Sequence, residues 1–182
     1  MDLKILLDIA RKSIYTVFDK SLQINKDYYI SSFKELEEQR ATFITLTLNG
    51  NLRGCIGSLV AHNSLYDDVF INARKAAFND PRFNSLSYEE FNKIKIEVSI
   101  LTPAKLLNYS DIEDLKQKII PYKHGVILKY KNNQATFLPQ VWEQLNTFEE
   151  FISSLCKKAN LDFSILYKNP EIYLYEAIKV KE

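Results

Sequence analysis

Hydrophobic positions change rhythm several times along the chain, and each change marks an element. Leu3, Leu6, Leu7, Ala10, Ile14, Val17 and Phe18 recur at three- and four-residue steps, which predicts an amphipathic helix with Asp2 as its N-cap. Ser21 to Ile30 is irregular. Within it Tyr28-Tyr29-Ile30 reads as a short strand, and Ser31 or Ser32 then caps a brief helix through Phe33 and Leu36. From Ala41 to Val60 the period falls to two. Asn49-Gly50 divides this stretch, and Asn-Gly between alternating runs predicts a two-residue type I′ hairpin. Leu48 would then face Asn51, Leu46 would pair with Arg53 and Ile44 with Cys55. That register puts Arg53 and Cys55 on one face beside Ile44, Leu46 and Leu48.

Helical spacing returns at Ser64. Leu65, Val69, Ala73, Ala76 and Ala77 share a face kept thin by its alanines, and Asp80-Pro81 stops the helix. Ser87 to Glu90 fits a capping box. Ile94, Ile96, Val98 and Ile100 alternate with polar residues as a half-buried strand ended by Thr102-Pro103. Ser110 caps a small helix through Leu115. His124 to Tyr130 and Gln134 to Leu138 form a second hairpin, after which Leu138 to Trp142 leaves the sheet. Thr147 opens a helix carrying Phe148, Phe151, Ile152, Leu155, Cys156 and Ala159, with Asn160 as a left-handed residue past its end. Glu171 to Val180 reads as one closing strand. Helices and strands without regular βαβ alternation predict an α+β fold: a mainly antiparallel sheet flanked by helices, one domain over residues 1–182, with a smaller second lobe around 117–138.

Composition narrows the function classes. The 182 residues are 46% apolar and 26% charged, so a folded core is expected and disorder is not. Twenty-four basic against 23 acidic residues give no global electrostatic argument for nucleic acid or an anionic membrane. Scattered lysines such as Lys129 and Lys131, and the Tyr173/Tyr175 pair, offer only a minor nucleic-acid reading. The first segment is charged throughout and reads as a soluble helix rather than a leader, and no apolar run is long enough to span a bilayer. The expectation is a cytoplasmic protein with Cys55 and Cys156 both reduced.

Chemistry concentrates in Leu52-Arg53-Gly54-Cys55-Ile56-Gly57. Glycines inside a strand mark a bulge or a close backbone approach. Cys55 between them is the candidate nucleophile, and Arg53 on the same face is the guanidinium that would favour its thiolate. Gly54 and Gly57 would let a ligand reach the backbone. The competing reading is that Cys55 is a small buried apolar residue and the glycines only relieve crowding. Asp80 and Arg82 flank a proline at a helix end, as a local ion pair or as a fork for a carboxylate or phosphate. Cys55, His124 and Cys156 lack the short spacing of a metal site, so no metal is expected. No phosphate-loop or dinucleotide fingerprint is present, and no cofactor is expected.

Several segments together carry a family resemblance: Phe43-Ile-Thr-Leu, Gly50-x-Leu-Arg-Gly-Cys-Ile-Gly, Ala73-x-x-Ala-Ala, Asp80-Pro-Arg-Phe, Ile96-Glu-Val-Ser, His124-Gly-Val, Leu138-Pro-Gln-Val-Trp-Glu and Cys156-x-Lys-Ala. Their order from Phe43 to Ala159 resembles the AMMECR domain family, whose bacterial and archaeal members are called AmmeMemoRadiSam system protein A. The resemblance implies an α+β domain with a smaller lobe, and a role beside a Memo-type protein and a radical S-adenosylmethionine enzyme, with no settled reaction. It also implies that Glu97 is a partner for Arg53 or Arg82 rather than a plain strand residue. His124 is a binding candidate, as a base or ligand if its hairpin faces Cys55, and is otherwise a turn residue before a strand. Asn160 stands where relatives usually carry glycine, and Thr136-Phe137 where they tend to have one. Two functions stay open: a Cys55-centred site binding a small molecule or modified group, or a non-catalytic protein-interaction module in which Cys55 only packs.

Overall fold

The computed structural model describes residues 2–182. Its contacts divide the chain into two compact units, the first reaching to Leu101 and regaining Ile178–Glu182, the second formed by Thr102–Ala177. Residues 117–138 lie within the second. The fold is α+β, with one four-stranded sheet in each unit.

In the first unit, helix α1 (Lys4–Phe18) buries Leu6, Ile9, Ala10 and Ile14 completely, as its three-four spacing requires. Asp2 accepts the N–H of Lys4 at 3.0 Å, although Leu3 occupies the capping position. The segment read as a strand is helix α2 (Lys26–Ser32), capped by Asn25, whose side chain accepts the Tyr28 N–H. Aromatic strand preference loses here to a local cap. Ser31 and Ser32 close that helix instead of opening one, their hydroxyls bonding back to the Tyr28 carbonyl. A 3₁₀ turn over Lys34–Glu37 follows with no side-chain cap.

Strands β1 (Thr42–Leu48) and β2 (Asn51–Gly57) join at Asn49-Gly50, whose φ of 51° and 81° match the expected turn. Helix α3 (Leu65–Phe78) starts at Ser64, which accepts the Asp67 N–H, and packs its alanine face on both strands. Helix α4 (Tyr88–Phe91) carries the complete Ser87/Glu90 capping box. Strand β3 (Lys95–Leu101) pairs antiparallel with β1. The sheet order is β2, β1, β3 and then the last strand, Ala177–Lys181. Ile44, Leu46, Ile96 and Val98 meet α1 and α3 in one core.

In the second unit, β4 (Lys105–Leu106), α5 (Ile112–Lys118), β5 (Gly125–Tyr130), β6 (Asn133–Phe137), α6 (Phe148–Lys158) and β7 (Glu171–Tyr175) surround a second core. Its centre is Trp142 stacked on Phe151, 3.8 Å between centroids and 4° between planes. Asp111, not Ser110, caps α5, and Ser110 braces the same turn by donating its N–H to Asp114. Asn160 adopts the expected left-handed conformation, with φ of 56°. The run expected as one closing strand is two. Glu171–Tyr175 joins the second sheet, the chain passes Glu176, and the strand of Ala177–Lys181, here β8, completes the first.

Candidate functional site

The β1–β2 register corrects the expected one. Leu48 pairs with Asn51 and Thr47 with Leu52, but Leu46 then pairs with Gly54, Thr45 with Cys55 and Ile44 with Ile56. Arg53 is the extra residue of a β-bulge, and a bulge re-aims a side chain. Cys55 therefore shares a face with Thr45 rather than with Ile44, Leu46 and Leu48. Its sulfur lies 3.4 Å from the Thr45 hydroxyl and is partly buried.

Gly54 has a packing role that its strand position predicts. A Cβ there would overlap the backbone carbonyl oxygen of Ala76, so α3 reaches β2 only because residue 54 has no side chain. A Cβ at Gly57 would likewise meet the Phe43 ring and the Thr42 carbonyl.

Because β2 is the sheet's outer strand, part of its backbone faces away from β1. At Cys55 that backbone is taken up by the turn after α3. Asp80 accepts the Cys55 N–H at 2.8 Å, and Arg82 Nη2 donates to the Cys55 carbonyl at 3.2 Å. The two side chains also pair as a fork, Nε to Oδ1 at 3.0 Å and Nη2 to Oδ2 at 2.7 Å, with the Arg82 N–H on Oδ1 at 3.1 Å. Asp80 is buried while the Arg82 side chain is half exposed. The guanidinium holds the Asp80 carboxyl well below the usual carboxylate range despite desolvation, helped by the Cys55 and Arg82 N–H groups.

Arg53 is spent elsewhere. Only 9% exposed, it donates Nε and Nη2 to the two oxygens of Glu90, both at 2.9 Å, and Nη2 also to the Asn84 carbonyl at 2.9 Å. Arg53, and next the Ser87 N–H, bring the Glu90 carboxyl down to about 2. The second terminal nitrogen of Arg53, Nη1, is buried without a hydrogen-bond partner. Both guanidinium groups lie over the Phe83 ring, 5.8 Å away for Arg53 and 5.6 Å for Arg82. These three residues, with Asn84, Ser85 and Glu90, line a groove of about 430 Å³. Of the two arginines it is thus Arg82, not Arg53, that is bonded at Cys55.

Glu97 sits across Thr45 from Cys55 in the cross-strand row, and its cation is Lys179 at 3.6 Å rather than Arg53 or Arg82. His124 belongs to the second unit, whereas Cys55 belongs to the first. Its Nδ1 accepts the Ile120 N–H at 3.1 Å and its carbonyl accepts the Trp142 indole N–H at 3.0 Å, so it braces a turn. Burial, with Lys123 nearby, pushes its pKa down. Cys156 is wholly buried, its thiol pushed up to about 11 by desolvation. Among the described residues no three His, Cys, Asp or Glu side chains gather as metal ligands.

Two features escape the sequence pattern. Glu90 is visible as a cap but not as the partner of Arg53, thirty-seven positions away. Asp68, 1% exposed on α3, accepts from the Thr42 N–H and hydroxyl at 2.7 Å, from Asn72 at 2.9 Å and from the Ser58 hydroxyl at 2.7 Å. It ties the start of β1 and the end of β2 to α3 through neutral donors alone.

The features together define an α+β protein of two sheet-bearing units in which an Asp-Pro-Arg turn grips a bulged, glycine-flanked edge strand. The chain belongs to the AMMECR1 family, whose profile matches residues 7–180. A protein of Methanosarcina mazei is 36% identical over 179 residues, covering 96% of this chain and 88% of its own length. One of Nanoarchaeum equitans is 35% identical over 94% of this chain and 95% of its own. The crystal structure of an uncharacterized protein from Pyrococcus horikoshii superposes with a TM-score of 0.83 at 29% identity, covering 98% of this chain and 90% of that one.

Proposed function

We propose that this protein is a cytosolic component that binds a small molecule, or a partner's modified group, at the Cys55 edge of its first sheet. Its partners in this reading are a Memo-type protein and a radical S-adenosylmethionine enzyme, as its resemblance to AmmeMemoRadiSam system protein A implies. Among the described residues no helix is long and apolar enough to cross a membrane.

One observation carries the reading. Asp80 and Arg82 occupy both backbone groups of Cys55, which fixes the edge there against an added strand, while the residue itself stays partly exposed. Arg82 is shared between that edge and the groove. Gly54, Gly57 and Arg53 shape the surroundings, and Glu97 lies on the same face one strand beyond Thr45. His124, committed to its turn, is left out.

The test is a thermal-shift screen of small metabolites against the wild type and Cys55→Ser. A compound that raises the midpoint of the wild type and not of the variant supports the reading. Identical responses across the library overturn it.

A second reading, docking without chemistry, draws on Leu59 and Val60, consecutive and exposed just after β2. It expects Leu59→Ser with Val60→Ser to abolish co-purification of a Memo-type or radical enzyme while Cys55→Ala does not.

A further inference from the structure

A second groove of the first unit is built by its helices. Thr16 of α1, the segment joining α1 to α2, and α3 supply its walls. Its volume of about 370 Å³ falls at the lower end of the ~300–1,000 Å³ typical of small-ligand sites. The groove is separate from the Cys55 edge, because α1 and α3 pack on the Ile44 and Leu46 face of the sheet while Cys55 shares the Thr45 face.

Tyr66 and Phe70 stand one turn apart on α3 with their rings stacked, 6.0 Å between centroids and 18° between planes. Each ring carries a cation. The Lys26 ammonium lies 5.5 Å from the Tyr66 centroid, and the Arg74 guanidinium 5.9 Å from that of Phe70. The two cations differ in what neutralises them. Lys26 donates to both oxygens of Asp67, at 2.8 and 2.7 Å, and the Ser64 hydroxyl donates to the same carboxylate at 2.7 Å. Arg74 is exposed and has neither a carboxylate nor a hydrogen-bond acceptor among the described residues, so all five of its N–H donors are uncommitted. The charges of Lys26 and Asp67 cancel. Burial pushes the Tyr66 phenol up to about 12, so that ring stays neutral. One uncompensated positive charge remains. Leu22, Ile24 and Phe70 line the same groove and are only half-buried, which leaves apolar surface within it.

We infer that this groove binds a small organic monocarboxylate with an apolar body, the carboxylate on Arg74 and the body against Leu22, Ile24 and Phe70. A guanidinium offers a planar carboxylate two parallel donors, which an ammonium cannot. A single net positive charge matches a monoanion, whereas a dianionic phosphate would leave charge unbalanced beside Asp67. An acid without an apolar portion would leave Leu22 and Ile24 facing water.

The experiment titrates ¹⁵N-labelled protein with sodium 3-phenylpropanoate. Sodium acetate supplies the charge without the body, 3-phenylpropanamide the body without the charge, and 3-phenylpropylamine the opposite charge. Saturable shifts of the Arg74 Nε–H and of the Phe70 and Arg74 amides are expected with the acid. Acetate, the amide and the amine should each bind at least about tenfold more weakly. Arg74→Gln, a change at an exposed position, should weaken the acid by about tenfold or more. No saturable shift with 3-phenylpropanoate overturns the inference. Equal binding of any of the three controls, or of the acid to Arg74→Gln, overturns it as well. The shifts should persist in Cys55→Ser, since neither that residue nor its strand lines the groove.

Discussion

The buried Asp80 carboxylate receives the backbone N–H of Cys55 at 2.8 Å across 25 positions of sequence. The same carboxylate holds the arginine that caps the Cys55 carbonyl, so one side chain organises both backbone groups of the edge. Asp80→Asn keeps the shape but turns an acceptor into a donor facing donors. It should lower stability by about 1–3 kcal/mol, read as a lower urea midpoint. The exposure of Arg82 keeps the loss below that of a fully buried pair. An unchanged midpoint would remove the clamp from the account of the fold.

Acid should weaken the protein through Glu90 and Asp80. Unfolded carboxyl groups titrate near ~4.3 and ~3.9, whereas Glu90 is held at about 2 and Asp80 lies well below its usual range. The unfolded chain therefore takes up these protons first as pH falls, and the contribution, complete above about 4.3, is lost toward about 2. Urea midpoints at successive pH values should drop through that window, and less steeply in Glu90→Gln. Equal slopes for both proteins would show that the Arg53 pair does not drive the effect.

Gly54→Ala should be among the most damaging small substitutions. The added methyl meets a helix carbonyl rather than a flexible side chain, so α3 or β2 must move, at about 1–3 kcal/mol or more. Gly50→Ala makes the informative comparison. Nothing lies within 4 Å there, and only its positive φ of 81° resists, so about 1–2 kcal/mol is expected. Thermal melts of the two variants, falling in that order, would check the assignment.

The two thiols should part company in alkylation of the native protein. Cys156 lies in the second core with its thiol pushed up to about 11, and should stay protected until global unfolding. Cys55, partly exposed, should be modified while the protein is folded. Peptide mass spectrometry reads each site separately. Protection of both in the native state would make Cys55 a packing residue and move the docking reading ahead.

Several local signals were legible, the Tyr28–Ile30 run and the Ser31, Ser32 and Ser110 caps were not, and the long-range pairings were not. Asn49-Gly50, the Ser64 and Ser87 caps and the Asp80-Pro81 stop each depend on neighbours within a few residues, and each falls where its chemistry predicts. The bulge at Arg53 lies beside Gly54, where α3 meets β2, and no alternation of apolar residues encodes it. One missed residue shifted the whole inner pairing and gave Cys55 the wrong neighbours. Glu171 to Val180 keeps a two-residue rhythm through both halves, although the first half buries Ile172 and Tyr175 while Ile178 in the second is exposed. Which sheet each half joins is decided by partners more than forty residues away. The Asp80–Arg82 pair was readable as a local turn, but its grip on a strand 25 residues earlier was not.

The division of the last strands at Glu176 has a consequence for synthesis. The first sheet needs β8, and Glu182 anchors there too, donating its N–H to the Ile96 carbonyl and pairing with Arg11 at 2.6 Å. While the ribosome is still translating residues 102–177, β3 has no outer neighbour and that margin of the nascent protein stays open. The first unit is thus begun first and finished last. Everything between Leu101 and Ile178 is made during the interval in which its unfinished border is exposed to chaperones or to other chains.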